Sequence, residues 1–243
     1  MNPEISHPPS PMPHDCVKCG QTFLAVPLVF GSMAIYAKRY CDACIEAVEL
    51  ARAQERDRQE QQRLNEAWER ICPPLFRDTD DRRLPCDREI IQRVLAWPYG
   101  SRGLLLHGET STGKTRLVYH LLWRLHHHER RKIAALSGTA FSHQVGALFG
   151  EGGGRGEAFI ERLTQVDVLF IDDVGKGRLT ERVEAEFFHV IDERSRQLRP
   201  TLLTTNLNGE ALATTWSSDR AEPLVRRLRE FFDPIAVLPK ATP

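Results

Sequence analysis

Residues 108–115, GETSTGKT, constrain the fold of this chain more than any other part of the sequence. They meet the spacing G-x4-G-K-T without deviation, and its glycines let a loop close with backbone N–H groups turned toward a phosphate chain. An apolar strand at 103–107 precedes the loop and a helix follows it, which is the context that the motif requires. The residues predicted to bind the nucleotide are Gly108, Glu109, Thr110, Ser111, Thr112, Gly113, Lys114, Thr115 and Arg116.

Two carboxylates follow a second apolar segment, VLFIDD at 168–173. In a fold with a phosphate-binding loop, such a strand end supplies the Mg²⁺ site. We therefore expect Asp172 to hold the ion beside the hydroxyl of Thr115. Asp173 would orient the attacking water, although many relatives of this fold use Glu, which is one methylene longer. The alternative is that both aspartates lie in an exposed turn before Gly175.

Strands and helices alternate beyond residue 85, which favours an α/β fold with a parallel sheet flanked by helices. Apolar segments predict strands at 103–107, 132–136, 167–171, 201–205 and 235–238. Amphipathic segments predict helices at 115–130, 139–149, 157–164, 180–198 and 219–231, with Thr180 as an N-cap.

The strand TLLTT at 201–205 ends at Asn206, and arginines follow in the predicted helix after it. Because the carboxyl ends of parallel strands line the ligand crevice, Asn206 is a candidate for positioning the attacking water. An arginine such as Arg220 or Arg227 could stabilise charge on a γ-phosphate, from the same or a neighbouring subunit. The alternatives are a turn-forming Asn and a solvated basic helix face.

Four of the six cysteines form two C-x2-C pairs separated by 21 residues. Such pairs suit tetrahedral thiolate coordination of zinc, and the predicted ligands are Cys16, Cys19, Cys41 and Cys44. Disulfides or an iron–sulfur cluster are the alternatives, but a reducing compartment favours zinc. A segment this short would depend on the metal for its folding.

The remaining features set the domain organisation. We expect a disordered tail at 1–15, a zinc-binding module at 16–44, a linker helix at 45–72 and the α/β domain at 73–243. The formal net charge is zero, so any contact with nucleic acid must use a local patch. No apolar run approaches the roughly 20 residues of a membrane helix, and the start has no signal-like apolar core, so we expect a cytoplasmic protein.

These motifs resemble the DnaC/IstB-type AAA+ ATPases, which include bacterial and phage loaders of the replicative helicase and transposition helper ATPases. The resemblance covers about residues 71–238 and is carried by CPPLFRD at 72–78, the loop, LFIDDVG at 169–175 and TTN at 204–206. It implies an AAA+ domain at 73–243 that assembles into a ring or spiral with ATP between subunits. It also implies that 139–164 contacts single-stranded DNA, although the Gly-rich stretch 150–156 departs from the family pattern.

By the same resemblance, Asn206 is the sensor residue, Arg220 is an arginine finger supplied to the neighbouring subunit, and Arg227 is the second-sensor arginine. Together with Lys114, Asp172 and Asp173, these are the residues predicted to act in ATP hydrolysis.

The leading functional hypothesis is an ATP-dependent loader of the replicative DNA helicase onto single-stranded DNA, because some loaders carry an N-terminal zinc module that binds the helicase. One alternative is an IstB-type transposition helper that binds duplex DNA and recruits a transposase. A second is an adaptor that binds ATP without hydrolysing it, which the shorter Asp173 leaves open. A small-molecule kinase is disfavoured, because no Arg-rich lid insertion is evident.

Overall fold

The computed structural model describes residues 10–30, 33–36, 38–78, 80, 82, 84–150, 154–175, 180–207 and 209–239. The chain divides into two compact units, Met1–Arg63 and Leu64–Pro243. One helix, α1 (Asp42–Ile71), begins in the first unit and ends in the second. Among the described residues, no helix is both long and apolar enough to cross a membrane.

The first unit consists of two β-hairpins and the start of α1. Strand β1 (Met12–Asp15) pairs antiparallel with β2 (Thr22–Ala25), and β3 (Pro27–Phe30) pairs antiparallel with β4 (Met33–Tyr36). The predicted tail is therefore wrong for Met12–Asp15, because pairing with β2 orders a segment whose composition alone suggested disorder. Residues 1–9 of that tail lie outside the described residues.

The second unit is built on a five-stranded sheet, and every adjacent pair of strands in it is parallel. The strands are β5 (Gly103–His107), β6 (Ile133–Ser137), β7 (Val168–Asp172), β8 (Thr201–Thr205) and β9 (Phe232–Ala236). Their spatial order is β6-β7-β8-β5-β9, so β5, the strand before the phosphate-binding loop, is flanked by β8 and β9. The α/β fold class predicted from the sequence is confirmed.

Helices cover both faces of the sheet, as a parallel sheet requires. Neighbouring residues of β5 point to opposite faces, so Leu104 and Leu106 pack into one apolar core and Leu105 against the other. Trp68 of α1, α2 (Arg88–Leu95) and α3 (Lys114–His127) build the first core. The second core contains α4 (Gly138–Gly150), α5 (Arg155–Gln165), α6 (Glu181–Arg196), α7 (Gly209–Thr214) and α8 (Ser218–Phe231).

A fully buried arginine joins several of these elements. Arg194 of α6 donates to the carbonyl oxygens of Leu163 at 2.8 Å, Val166 at 2.8 Å and Pro200 at 2.6 Å, and to the Thr201 hydroxyl at 2.9 Å. Burial lowers its pKa to about 9. Its donors satisfy carbonyls at the end of α5 and at the entry to β8, groups that burial would otherwise leave without partners.

The predicted elements of the α/β domain match the observed ones to within a few residues at each end, as expected for boundaries read from patterns. Thr180 caps α6, and its hydroxyl accepts a hydrogen bond from the amide of Val183 at 3.3 Å. Two short helices, α2 and α7, were not predicted from the sequence. The last strand begins at Phe232 rather than 235, because it aligns with the start of β5 at Gly103.

Candidate functional site

The loop between β5 and α3 adopts a conformation that depends on its two glycines. Gly108 has φ +145°, and a Cβ atom there would lie 2.4 Å from the carbonyl oxygen of Val237. Gly113 has φ +87°, and a Cβ atom there would lie 2.9 Å from the ring of Pro85. Any larger residue would therefore be strained by its backbone and clash with its surroundings at either position.

Lys114 begins α3, and its ammonium group is bound within the loop. Its Nζ donates to the carbonyl oxygens of Gly108 at 2.9 Å and Glu109 at 2.7 Å, and to Oδ1 of Asn206 at 2.9 Å. Only 6% of this lysine is exposed. The structure therefore brings the predicted lysine and the predicted sensor residue into direct contact, with the ammonium facing the place where phosphates would enter.

Asp172 ends β7 beside the start of α3. Its Oδ1 accepts hydrogen bonds from the hydroxyls of Thr115 at 2.7 Å and Thr204 at 2.5 Å. The arrangement places a carboxylate and a hydroxyl, both hard oxygen ligands, next to each other at the helix N-terminus. This donor set suits Mg²⁺, which binds proteins through one or two carboxylates and few other groups. Sequence reasoning gave no role to Thr204, although it lies at the polar tip of β8.

Asp173 has φ +60°, a left-handed conformation that is unfavourable for a residue with a Cβ. Two contacts with the tip of the neighbouring strand stabilise it. Its amide donates to the Thr204 hydroxyl at 2.8 Å, and its Oδ1 accepts from Nδ2 of Asn206 at 3.0 Å. Backbone strain of this kind occurs at functional sites, where it aims a side chain that regular structure would not.

Most of these side chains line a cavity of about 460 Å³. Its polar wall contains Thr110, Ser111, Gly113, Lys114, Thr115, Asp173, Thr204 and Asn206. Leu75, Phe76, Pro85 and Arg116 complete the lining. The guanidinium carbon of Arg116 lies 5.6 Å from the centre of the Phe76 ring, and the same ring stacks on Tyr119 at 5.0 Å.

The apolar part of this wall was not assigned a role from the sequence. Leu75 and Phe76 belong to the motif CPPLFRD, and Phe76 ends a short 3₁₀ helix (Pro74–Phe76). Their tertiary position depends on packing against α3, which local patterns do not reveal. The cavity thus combines an anion-binding end with an apolar, aromatic end.

The structure does not test the roles predicted for the late arginines. The side chain of Arg220, in the first turn of α8, lies outside the part of the chain that the structure describes. Arg227, two turns further on, pairs with Asp192 of α6 at 2.7 Å and is not among the described residues that line the cavity. Both predicted roles in hydrolysis stay predictions.

The four predicted zinc ligands of the first unit are close together. The sulfur atoms of Cys16, Cys19, Cys41 and Cys44 all lie within 4.8 Å of one another, and none forms a disulfide. The sulfurs of Cys19 and Cys41 are 3.7 Å apart. Tetrahedral coordination with Zn–S bonds of about 2.3 Å requires about 3.8 Å between sulfurs, so this distance fits.

Backbone hydrogen bonds around this cluster favour the thiolate of Cys16, whereas side-chain hydrogen bonds with Cys19 and Cys41 raise the pKa of Cys44 to about 12. Gly20 has φ +75° and its amide donates to the carbonyl oxygen of Cys16 at 2.8 Å, which closes the first turn tightly. Burial raises the pKa of Cys16, but hydrogen bonds from backbone amides, first that of Cys41, bring it down to about 6. The cluster therefore has the ligand number and spacing for a closed four-thiolate metal site.

The sheet order, the phosphate-binding loop and the carboxylate that ends β7 define an AAA+ ATPase of the P-loop class. A family model described as "Bacterial DnaA ATPAse domain" matches residues 89–218, more than half of the chain. The chain belongs to this family. The match covers the loop, Asp172, Asp173 and Asn206, which the hydrogen bonds of the site bring together.

Individual known proteins are more distant. The uncharacterized protein YdaV of Escherichia coli (strain K12) is 29% identical over 115 residues, which are 47% of this chain and 46% of that protein. The chain thus spans about half the length of this curated relative. A crystal structure of the DnaC helicase loader is 19% identical with a TM-score of 0.58, covering 68% of this chain and 100% of that one. A replication initiator DnaA bound to AMPPCP and single-stranded DNA is 19% identical with a TM-score of 0.52, covering 68% of this chain and 50% of that one. At these identities the structures show a shared fold.

Proposed function

We propose that this protein is a cytoplasmic, ATP-dependent loader of the replicative DNA helicase onto single-stranded DNA. The observation that carries the proposal is the combination of a DnaA-type ATPase domain with a four-cysteine module that precedes it. The likeness to the DnaC helicase loader, which extends over the whole of that chain, supports this choice. The N-terminal module and α1 would bind the helicase, and the ATPase domain would respond to ATP and DNA.

The site residues suggest how ATP is bound. Lys114 would exchange its bonds to loop carbonyls for the β- and γ-phosphates, and the loop amides would complete the contacts. The apolar wall of Leu75 and Phe76, with Arg116 beside it, has the character that an adenine ring needs. Thr115 and Asp172 would hold Mg²⁺, which neutralises charge that develops on the phosphates when it is bound.

Hydrolysis would use Asp173, the strained residue that follows β7. The carboxylate of Asp173 would orient a water molecule toward the γ-phosphate, and Asn206 would fix that carboxylate through its bond of 3.0 Å. Asn206 also accepts a hydrogen bond from Lys114. If Lys114 binds a phosphate instead, Asn206 loses this hydrogen bond. Asn206 can thereby report which nucleotide is bound.

We propose that a neighbouring subunit completes the site with Arg220 in a ring or spiral assembly, as the resemblance to AAA+ ATPases implies. Loading would then depend on nucleotide state, because ATP would bridge adjacent subunits and hydrolysis would loosen them. Single-stranded DNA would contact the region of α4 and α5.

We further propose that the four cysteines bind zinc and that the metal folds the first unit. Elemental analysis of the purified protein should give about one zinc per chain. Replacing Cys41 with Ser should remove the zinc and the helicase-binding activity but preserve ATP binding by the second unit. The matched control is Cys72→Ser, which changes a cysteine outside the cluster. A folded, metal-free N-terminal unit would contradict this assignment.

The loader proposal is tested by reconstitution with the replicative helicase of the source organism. The protein should bind that helicase through residues 10–63 and increase helicase binding to single-stranded DNA in an ATP-dependent manner. Preferential binding to duplex DNA, with capture of a transposase instead of a helicase, would favour the IstB-type transposition helper. An ATPase rate that stays at background with single-stranded DNA and helicase present would favour the non-hydrolysing adaptor.

A further inference from the structure

A buried carboxylate on α6 binds the residue that begins α8. Oε1 of Glu184 accepts from the amide of Ser217 at 3.1 Å, and Oε2 accepts from the Ser217 hydroxyl at 2.5 Å. Only 6% of Glu184 is exposed. Glutamates are rarely buried to this extent unless their charge is matched by donors, so both oxygens are committed to a structural contact.

A second contact between the same two segments lies one turn along α6. The ring of Phe187 packs against that of Trp216 with centroids 4.8 Å apart, and Trp216 is 7% exposed. Glu184 and Phe187 are three residues apart and share one face of α6. One face of α6 therefore binds two adjacent residues at the start of α8, Trp216 and Ser217.

This contact fixes the backbone near Arg220. Ser217 occupies the N-cap position of α8, where its hydroxyl donates to Glu184 and makes no capping bond. The amide of Ala221 donates to the carbonyl oxygen of Ser217 at 2.9 Å, which closes the first helical turn around Arg220. A displacement of Ser217 would therefore carry the Cα atom of Arg220 with it.

We propose that Glu184 is a positioning residue for Arg220, which it presents to the nucleotide of a neighbouring subunit. This inference rests on the proposed function, in which Arg220 acts in trans. Glu184 is not among the described residues that line the cavity of its own subunit. Its loss should therefore impair hydrolysis in the neighbour and leave ATP binding in its own subunit intact.

A subunit-mixing ATPase assay separates these two effects. Lys114→Ala subunits bind no ATP but supply Arg220, whereas Arg220→Ala subunits bind ATP but supply no finger. An equal mixture should recover about a quarter of the wild-type rate per chain, if subunits mix at random and one neighbour completes each site. This mixture contains no change at Glu184. If it shows no ATPase activity, the site is not completed by a neighbouring subunit, and the inference about Glu184 fails with it.

The ATPase rate of Glu184→Ala alone should fall about 100-fold, because a displacement of a catalytic group by about 1 Å has an effect of this size. An equal mixture of Glu184→Ala and Lys114→Ala should recover about a quarter of the wild-type ATPase rate. In that mixture Lys114→Ala subunits supply a correctly placed Arg220, and Glu184→Ala subunits supply an intact ATP site. The double variant Glu184→Ala/Lys114→Ala should not restore ATPase activity when it is mixed with Arg220→Ala. Restoration by the double variant equal to that by Lys114→Ala would overturn the positioning role while leaving the proposed function in place.

Two further variants control for folding. Glu181→Ala removes an exposed glutamate from the first turn of the same helix and should behave as wild type. Glu184→Gln keeps the size of the side chain and one acceptor oxygen, so it should fold and show a smaller loss with the same dependence on mixing. If Glu184→Ala does not fold, Glu184→Gln takes its place in every mixture, and a rate equal to wild type would overturn the inference.

Discussion

The hydroxyl of Thr204 connects the carboxylate of Asp172 with the backbone of Asp173, and its removal provides a quantitative test. It donates to Oδ1 of Asp172 at 2.5 Å and accepts from the amide of Asp173 at 2.8 Å. Thr204 is 1% exposed, so both bonds form with little competition from water. Thr204→Val keeps the shape of the side chain and removes both bonds.

The expected cost follows from these two contacts. A hydrogen bond to a charged group contributes about 1.5–3 kcal/mol, and a buried amide left without a partner costs about 1–3 kcal/mol. Because the two contacts share one hydroxyl, they are not fully additive, and we expect a loss of about 2–4 kcal/mol in the free energy of unfolding. Denaturant titration followed by circular dichroism measures this directly.

Thr205 provides a matched control, because it is the next residue of β8 and is equally buried. Its hydroxyl donates to the carbonyl oxygen of Val174 at 2.7 Å and accepts from the amide of Leu207 at 3.1 Å, with no charged partner. Thr205→Val should cost less, about 1–2 kcal/mol, and leave the Mg²⁺ dependence of ATPase activity unchanged.

Thr204→Val should raise the Mg²⁺ concentration needed for half-maximal ATPase activity, because Asp172 loses a bond that orients it and Asp173 loses a contact that stabilises its strained backbone. A loss of stability below about 0.5 kcal/mol, or equal effects of the two valine variants on Mg²⁺ dependence, would refute this reasoning.

Two further predictions concern the packing of the second unit. Arg194→Met should reduce the free energy of unfolding by about 3–5 kcal/mol, because it leaves several buried carbonyl oxygens without a donor, at a cost of about 1–3 kcal/mol for each such group. Arg196→Met, at an exposed arginine, should cost less than about 1 kcal/mol by the same denaturant titration, because Asp192 keeps its ion pair with Arg227, and equal costs would contradict the prediction. Burial lowers the pKa of His127, so the unfolded chain takes up the proton first as the pH falls, and unfolding free energy should decrease below about pH 6.5. His127→Gln should reduce this pH dependence and the exposed His128→Gln should not, as unfolding titrations between pH 5 and pH 8 would show.

The sequence predicted the polar half of the site because its residues belong to short motifs. The loop at 108–115 and the carboxylates of 172–173 each follow an apolar strand, and parallel strands bring such ends together. Asn206 was placed at the same edge by the same argument, and its contact with Lys114 agrees with it.

The remaining features depend on contacts between segments far apart in the chain. The packing of Phe76 on Tyr119 brings an apolar wall to the cavity from outside the α/β pattern. Ser217 lies at the start of α8, but its hydroxyl bonds to Glu184, 33 residues earlier, a contact that no local pattern indicates. Met12–Asp15 form a strand through pairing with Thr22–Ala25, which the composition of the segment does not encode.

Calorimetric titration with MgATP tests most directly whether this cavity binds the nucleotide. The titration compares the wild-type protein with Lys114→Ala, and Lys132→Ala is a control outside the cavity. Wild type and Lys132→Ala should bind one ATP per chain with equal affinity, because Lys132 is exposed and is not among the described residues that line the cavity. Lys114→Ala should raise the Kd at least about 100-fold, which corresponds to about 2.7 kcal/mol. Tight binding of ATP by Lys114→Ala would contradict the assignment of this cavity as the nucleotide site.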